Sequence, residues 1–117
     1  MKDKFKIICT VCNAKREIVE LESGFKYINY KLSCGHTIKH HSSINQPDEH
    51  YNKFIEYFPN LKKRLLKTTF RIEEEPRKQE REILIINRKK NIITLTVQER
   101  NESGEWITKH TEEKRFH

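Results

Sequence analysis

Two short motifs carry the most specific signal in the chain, Cys9-Thr10-Val11-Cys12-Asn13 and Cys34-Gly35-His36. The sequence has no other cysteine. A Cys-x-x-Cys turn presents two sulfur atoms on one side, and a second close pair of ligands can complete a tetrahedron around one ion. Asn13 and Gly35 are residue types that tolerate positive φ, which suits such tight turns. The spacing therefore predicts one structural Zn²⁺ ion held by Cys9, Cys12, Cys34 and His36.

Three other uses of these cysteines fit the sequence less well. A redox Cys-x-x-Cys begins a helix within a βαβ pattern, and no such pattern surrounds Cys9 and Cys12. A disulfide would leave one cysteine unpaired. A catalytic zinc site keeps one position open for water and needs three protein ligands, whereas four well-spaced candidates favour a closed site. His40 and His41 follow closely enough to be alternative fourth ligands.

The two motifs, with hairpin-like sequence between them, resemble the zinc ribbon over about residues 5–42. That resemblance implies a structural zinc between two turns and a frequent role in transcription, replication or translation machinery. The chain departs from the family in its second pair, which is Cys-x-His, and in the two strand-like runs between the pairs.

The remaining elements predict an α+β fold with three parts. Residues 1–46 form the zinc-ribbon-like β lobe, with strands at 4–9, 17–21, 25–33 and 37–41. In 25–33, Ile28, Tyr30 and Leu32 alternate with Tyr27, Asn29 and Lys31, which predicts opposite faces.

Residues 47–67 form a helical connector, because Tyr51, Phe54, Ile55 and Phe58 recur at helical spacing. Pro59 ends or kinks this helix near Tyr57, and a second short helix follows it. Residues 68–117 form an antiparallel β-meander with strands at 69–73, 82–87, 92–99 and 106–112, of which the apolar 82–87 is expected to be buried on both faces. The parts could also share one compact domain.

Basic residues exceed acidic ones in the chain, giving a formal net charge of +7. The excess lies toward the N-terminal part, where residues 1–47 carry eight Lys or Arg against four Asp or Glu. Phosphate neutralisation drives sequence-independent binding of nucleic acid, which makes nucleic acid the expected anionic partner. The predicted contacts are Lys15, Arg16, Lys26, Tyr27, Lys31 and Lys39. A merely solvated basic surface is the alternative, and it is preferred for Lys62-Lys63-Arg64 and Lys67.

Two further function classes remain. A small metal-dependent nuclease would use His40, His41, Asp48 and His50, but the two adjacent histidines point to opposite sides of a strand. The chain is therefore predicted to be non-enzymatic and to take no small-molecule substrate. A protein-protein or homo-oligomeric module is the stronger alternative, with Trp106 and Phe116 as candidate anchors.

Hydropathy and cysteine use indicate the compartment. No secretory segment and no run long enough to cross a membrane is evident. Reduced cysteines are typical of a cytoplasmic protein, which is the predicted location.

Overall fold

The computed structural model describes residues 5–24, 27–41, 49–59 and 80–116. In these ranges the chain forms seven β-strands and one short helix. In chain order they are β1 (Lys6–Cys9), β2 (Ala14–Gly24), β3 (Tyr27–Leu32), β4 (Thr37–His41), α1 (Glu49–Ile55), β5 (Glu80–Asn87), β6 (Ile92–Arg100) and β7 (Trp106–Arg115).

All seven described strands belong to one sheet in the order β4-β3-β2-β5-β6-β7, with β1 also paired to β2. Every pairing is antiparallel. The long strand β2 joins the two halves of the chain. Its residues 18–24 pair with β3, its residues 14–17 pair with β1, and its residues 20–23 pair with β5.

The predicted α+β class is wrong. Within the described ranges seven strands form the sheet, and α1, with seven residues, is the one helix whose bounds are described. The zinc-ribbon-like lobe and the meander were predicted to be linked by a helical connector. Instead β2 is long enough to pair with strands from both, so their backbone hydrogen bonds form a continuous all-β sheet. The proposed domain boundaries remain a prediction.

The helix is shorter than its pattern predicts. It ends at Ile55, and Phe58 donates its N–H to the Ile55 carbonyl oxygen over 2.9 Å in the turn that follows. Pro59 therefore comes after the helix and does not kink it. The predicted second helix at 61–67 and the predicted strand at 69–73 lie outside the described residues.

One face of the sheet carries the core. A row of four completely buried side chains crosses the sheet from β3 through β2 and β5 to β6. These are Tyr30, Leu21, Leu84 and Leu95 in that order. Aromatic rings close one end of this core. Phe5 stacks on Phe54 of α1 with ring centroids 4.4 Å apart, and Phe116 meets Phe5 edge-on at 5.3 Å.

The other face is open to solvent in the described structure. The predicted alternation of β3 is present, with Ile28, Tyr30 and Leu32 buried. The prediction that 82–87 is buried on both faces is wrong, because Ile85 is 45% exposed. An apolar run is thus compatible with a strand covered on one side only.

No helix in the described ranges is long and apolar enough to cross a membrane. The cytoplasmic location remains a prediction.

Candidate metal centre

Two hairpin turns meet at one end of the sheet. The β1–β2 turn carries Cys9 and Cys12, and the β3–β4 turn carries Cys34 and His36. They meet because β2 pairs with both β1 and β3, which places the two turns side by side.

Each turn has the backbone conformation that its sequence predicts. Asn13 has a φ of 58° and donates its N–H to the Cys9 carbonyl oxygen over 2.7 Å. Gly35 has a φ of 89°, and its N–H reaches the Leu32 carbonyl oxygen at 2.9 Å. Asn and Gly enter this left-handed region at the lowest cost among residue types, so their placement favours the two tight turns.

The side chains of Cys9, Cys12, Cys34 and His36 converge, with all four candidate ligand atoms within 4.8 Å of one another. The His36 Nδ1 atom lies 3.5, 3.2 and 3.3 Å from the sulfurs of Cys9, Cys12 and Cys34. The sulfurs of Cys9 and Cys34 are 3.8 Å apart. The group could therefore hold one metal ion.

These separations match the edges of a tetrahedron. Zn–S bonds of about 2.3 Å and Zn–N bonds of about 2.0 Å place two sulfurs about 3.8 Å apart, and a sulfur and a nitrogen about 3.5 Å apart. A disulfide needs sulfurs at about 2.05 Å, and all three cysteines are free.

The surroundings of Cys9 and Cys12 shift the pKa values of their thiols in opposite directions. Burial acts to raise the pKa of Cys9, but hydrogen bonds from the backbone N–H groups of Cys12 and Val11 outweigh it and bring that pKa to about 7. Burial raises the pKa of Cys12, while the nearby Arg16 guanidinium acts in the opposite direction. A lowered pKa makes the Cys9 thiolate easier to form, and the thiolate is the species that binds a metal.

Residues predicted to contact nucleic acid do not all present free charges. Arg16 is half-buried, and its Nε atom is buried without a hydrogen-bond partner in the described part of the chain. The Lys31 ammonium lies 3.0 Å from Glu20, and the Tyr27 hydroxyl donates to the Glu22 carboxylate over 2.6 Å.

The other predicted contacts differ in exposure and in what is described. Lys15 and Lys39 are exposed on the strands that follow the two metal-bearing turns. Lys26 lies outside the described residues, as does the Lys62-Lys63-Arg64 cluster with Lys67.

The residues of the nuclease alternative are not brought together by what is described. His40 lies on the core side of β4, with its ring 5.4 Å from that of Tyr30. Asp48 and the side chains of His41 and His50 lie outside the described part of the chain. His36 is the histidine that joins the three cysteines.

Sequence reasoning missed Arg88, which forms hydrogen bonds to the backbone of the metal-bearing part of the sheet. Its guanidinium donates to the carbonyl oxygens of Ile18 at 2.6 Å and Phe5 at 2.9 Å, and lies 2.6 Å from Glu17. It thus fills the space along β2 between the start of β1 and the end of β5. Burial lowers the pKa of Arg88, and the Glu17 carboxylate acts against that change. Within the sequence Arg88 is one cation of a basic turn, and no local signal distinguishes it.

Comparison with protein families, with curated proteins and with solved structures finds no match to this chain.

Proposed function

We propose that Cys9, Cys12, Cys34 and His36 bind one structural Zn²⁺ ion, and that the chain is a non-enzymatic binding module stabilised by it. The observation that carries this proposal is the tetrahedral spacing of three sulfurs and one imidazole nitrogen at the meeting point of two hairpin turns.

The chemistry of the donor set supports zinc in a closed site. Thiolate and imidazole are the ligands of structural zinc sites, which are almost always four-coordinate. With all four positions taken by protein atoms, no position is left for the water that a hydrolytic zinc site activates. The ion would fasten the β1–β2 turn to the β3–β4 turn, and its binding free energy would contribute to folding.

Metal analysis of the purified protein tests this proposal. We expect one zinc per chain, and we expect Cys34→Ser to lose it. His40→Ala is the matched control, because His40 lies on the neighbouring strand outside the ligand group, and it should keep the metal. Substitution with Co²⁺ should give the absorption bands of a tetrahedral site with thiolate ligands. Full zinc content in Cys34→Ser would remove that residue from the site.

We further propose nucleic acid as the partner. The net charge of +7 supports an anionic partner, and Lys15 and Lys39 are exposed on the two metal-bearing hairpins. Because Arg16 and Tyr27 are half-buried whereas Lys15 and Lys39 are exposed, the contact surface is expected to centre on these two lysines.

A binding titration with short DNA and RNA tests the nucleic-acid proposal. Lys15→Glu combined with Lys39→Glu should weaken binding, whereas Lys89→Glu combined with Lys90→Glu, in an exposed turn of the meander, changes the net charge equally and should weaken it less. Affinity should fall with salt at a log–log slope of roughly −0.7 to −0.9 per phosphate contacted. Absence of binding to any nucleic acid at about 50 mM salt, where this attraction is strong, would rule the proposal out.

A protein partner is the second candidate, favoured by two exposed apolar side chains. Ile8 is 60% exposed and Val11 65% exposed, and both lie on the hairpin that bears the first cysteine pair. Replacing both by Ser should leave metal content and nucleic-acid binding unchanged. If it abolishes capture of a protein partner by the intact wild-type chain, this second candidate gains support.

A further inference from the structure

Lys15 and Arg16 are consecutive basic residues of β2, and the strand directs their side chains to opposite faces. Lys15 lies across from Ile8, and both side chains are exposed. Arg16 lies across from Ile7, so its side chain shares the inner face of the hairpin with the buried Ile7 and Cys9. A guanidinium on an inner face loses contact with water, and such a cation needs a compensating negative charge.

Arg16 forms no ion pair with a carboxylate in the described ranges. The acidic residue that follows it in the chain, Glu17, lies 2.6 Å from the Arg88 guanidinium instead. The Nε atom of Arg16 is buried and has no hydrogen-bond partner among the described residues. Because an unpaired buried donor destabilises a protein, we looked for an anionic group within reach of this side chain.

The proposed metal centre would be such a group. The Arg16 guanidinium lies near the Cys12 sulfur, where its positive charge favours the thiolate. Three thiolates and one neutral imidazole around a divalent ion leave one net negative charge on the group of Cys9, Cys12, Cys34 and His36. A hydrogen bond between a guanidinium and a negatively charged acceptor is stronger than one between neutral groups.

We propose that Arg16 is the counter-charge of the metal centre, and that its guanidinium donates a hydrogen bond to the Cys12 thiolate when the ion is bound. This inference rests on the proposed structural zinc. A group that hydrogen-bonds a metal ligand raises metal affinity. By drawing electron density from the Cys12 sulfur, Arg16 also makes this half-buried ligand a poorer nucleophile and protects it from electrophiles and oxidants.

Arg16→Met tests the proposal, because methionine keeps an apolar stem and removes the charge. Zinc affinity, measured by competition with a chromophoric chelator, should fall about 10–100-fold. With Co²⁺ in the site, the sulfur-to-cobalt charge-transfer bands should move to lower energy, because a sulfur without its counter-charge gives up an electron more easily. Iodoacetamide should also alkylate Cys12 of the zinc-loaded variant faster than in the wild type. Arg16→Lys keeps the charge and should recover most of the affinity and of the band position.

Two other arginines provide controls. Arg88→Met removes a second half-buried guanidinium of the metal-bearing part of the sheet, whose donors go to the carbonyl oxygens of Phe5 and Ile18. It should loosen β1 without moving the cobalt bands. Arg100→Met makes the same charge change at an exposed position and should leave both zinc affinity and the bands unchanged. Arg16→Gln, which is neutral and polar, repeats the test if the methionine variant does not fold.

Either of two results would overturn this inference and leave the zinc proposal intact. One is a wild-type zinc affinity and cobalt spectrum in the neutral Arg16 variants. The other is an equal band shift in Arg88→Met, which would mean that the spectrum reports a loosened strand and not the lost charge. A wild-type chain that binds no zinc would overturn both proposals.

Discussion

The metal-bearing hairpins and the β5–β6 pair lie in the same sheet but are stabilised differently. At the hairpin turns, Cys12 and Cys34 are half-buried, and Ile8 and Val11 are mostly exposed. In β5 and β6, by contrast, Leu84, Ile93 and Leu95 are completely buried. The turns carry the four converging candidate ligands where apolar burial is thin, whereas β5 and β6 carry completely buried apolar side chains and none of those four residues.

This difference indicates that the hairpin turns and the β5–β6 pair depend on different sources of stability within one sheet. Burial of a large aliphatic side chain contributes about 1.5–3 kcal/mol. The turns have few such side chains, so a bound ion would be their main source of order. The β5–β6 pair should be able to hold its structure without the ion.

Removing the metal should have the largest effect and should separate the two regions. Structural zinc contributes on the order of 10 kcal/mol of binding free energy. Chelation, or Cys34→Ser, should therefore make the amides of β1 and both turns exchange much faster with solvent, while those of β5 and β6 stay protected. Hydrogen exchange measured by mass spectrometry reports both regions at once. An equal loss of protection throughout the sheet would show that its stability is not divided.

Truncating the apolar core should give the converse result. Leu95→Ala should destabilise the fold by about 2–5 kcal/mol, because it leaves a cavity in the fully buried face. Urea unfolding measures this loss, and metal analysis should still find one zinc per chain. Ile107→Ala, at a 41% exposed position of β7, is the control and should change stability by less than about 1 kcal/mol. Release of zinc by Leu95→Ala would contradict independent stabilisation.

Arg88 lies where the two regions join, and its loss should loosen the β1 side of that junction moderately. Arg88→Met keeps much of the side-chain bulk but removes the donors to the Phe5 and Ile18 carbonyl oxygens. Unsatisfied buried acceptors cost about 1–3 kcal/mol in unfolding free energy. Arg100→Met serves as the control, because Arg100 is exposed and its guanidinium lies over the ring of Trp106. We expect amide hydrogen exchange in Arg88→Met to become faster in β1 and to stay unchanged in β6. That result would show that Arg88 acts where the two regions of the sheet join.

The site was predictable from sequence to a greater degree than the fold. Cys9 and Cys12 are three residues apart, Cys34 and His36 two apart, and Asn13 and Gly35 mark the turns, so local spacing was enough to nominate the ligands. The fold class required knowing that β2 pairs with β5, about sixty residues away. The contact between Arg88 and Phe5 spans 83 residues and has no local signature.

Which charges of the basic surface form ion pairs could not be predicted for a related reason, because strand register determines which charges meet. The register of β2 against β3 shifts between Ile18 and Glu20, and this shift sets Glu20 opposite Lys31. A shift of one residue exchanges the two faces of a strand. Composition alone counts Lys31 as a free cation, whereas the structure pairs it.

Gly24 tests the end of β2 that lies away from the metal. A Cβ atom added there would collide with the ring of Tyr27, its cross-strand neighbour. Gly24→Ala should cost about 1–3 kcal/mol of stability, as overpacking does. The cost should largely disappear in a Tyr27→Ala background, which can be measured by a double-mutant cycle in urea. Zinc content should stay unchanged, and a loss of zinc would mean that the two ends of β2 are coupled.

The smallest effect expected concerns the Tyr27 hydroxyl at the same end of the sheet. Burial, together with its hydrogen bond to Glu22, raises the pKa of Tyr27 from 10.0 to about 12. A pKa that is raised in the folded state means that the neutral phenol is favoured by folding. The resulting stability is fully present below the unfolded pKa and is lost as pH rises from about 10 toward about 12. The unfolding free energy of the wild type should therefore approach that of Tyr27→Phe across this window. Difference absorbance between wild type and Tyr27→Phe isolates the ionisation of this phenol from that of the other tyrosines, and Glu22→Gln should lower its pKa. A Tyr27 phenol that ionises near pH 10 in the folded protein would show that the Glu22 contact does not persist in solution.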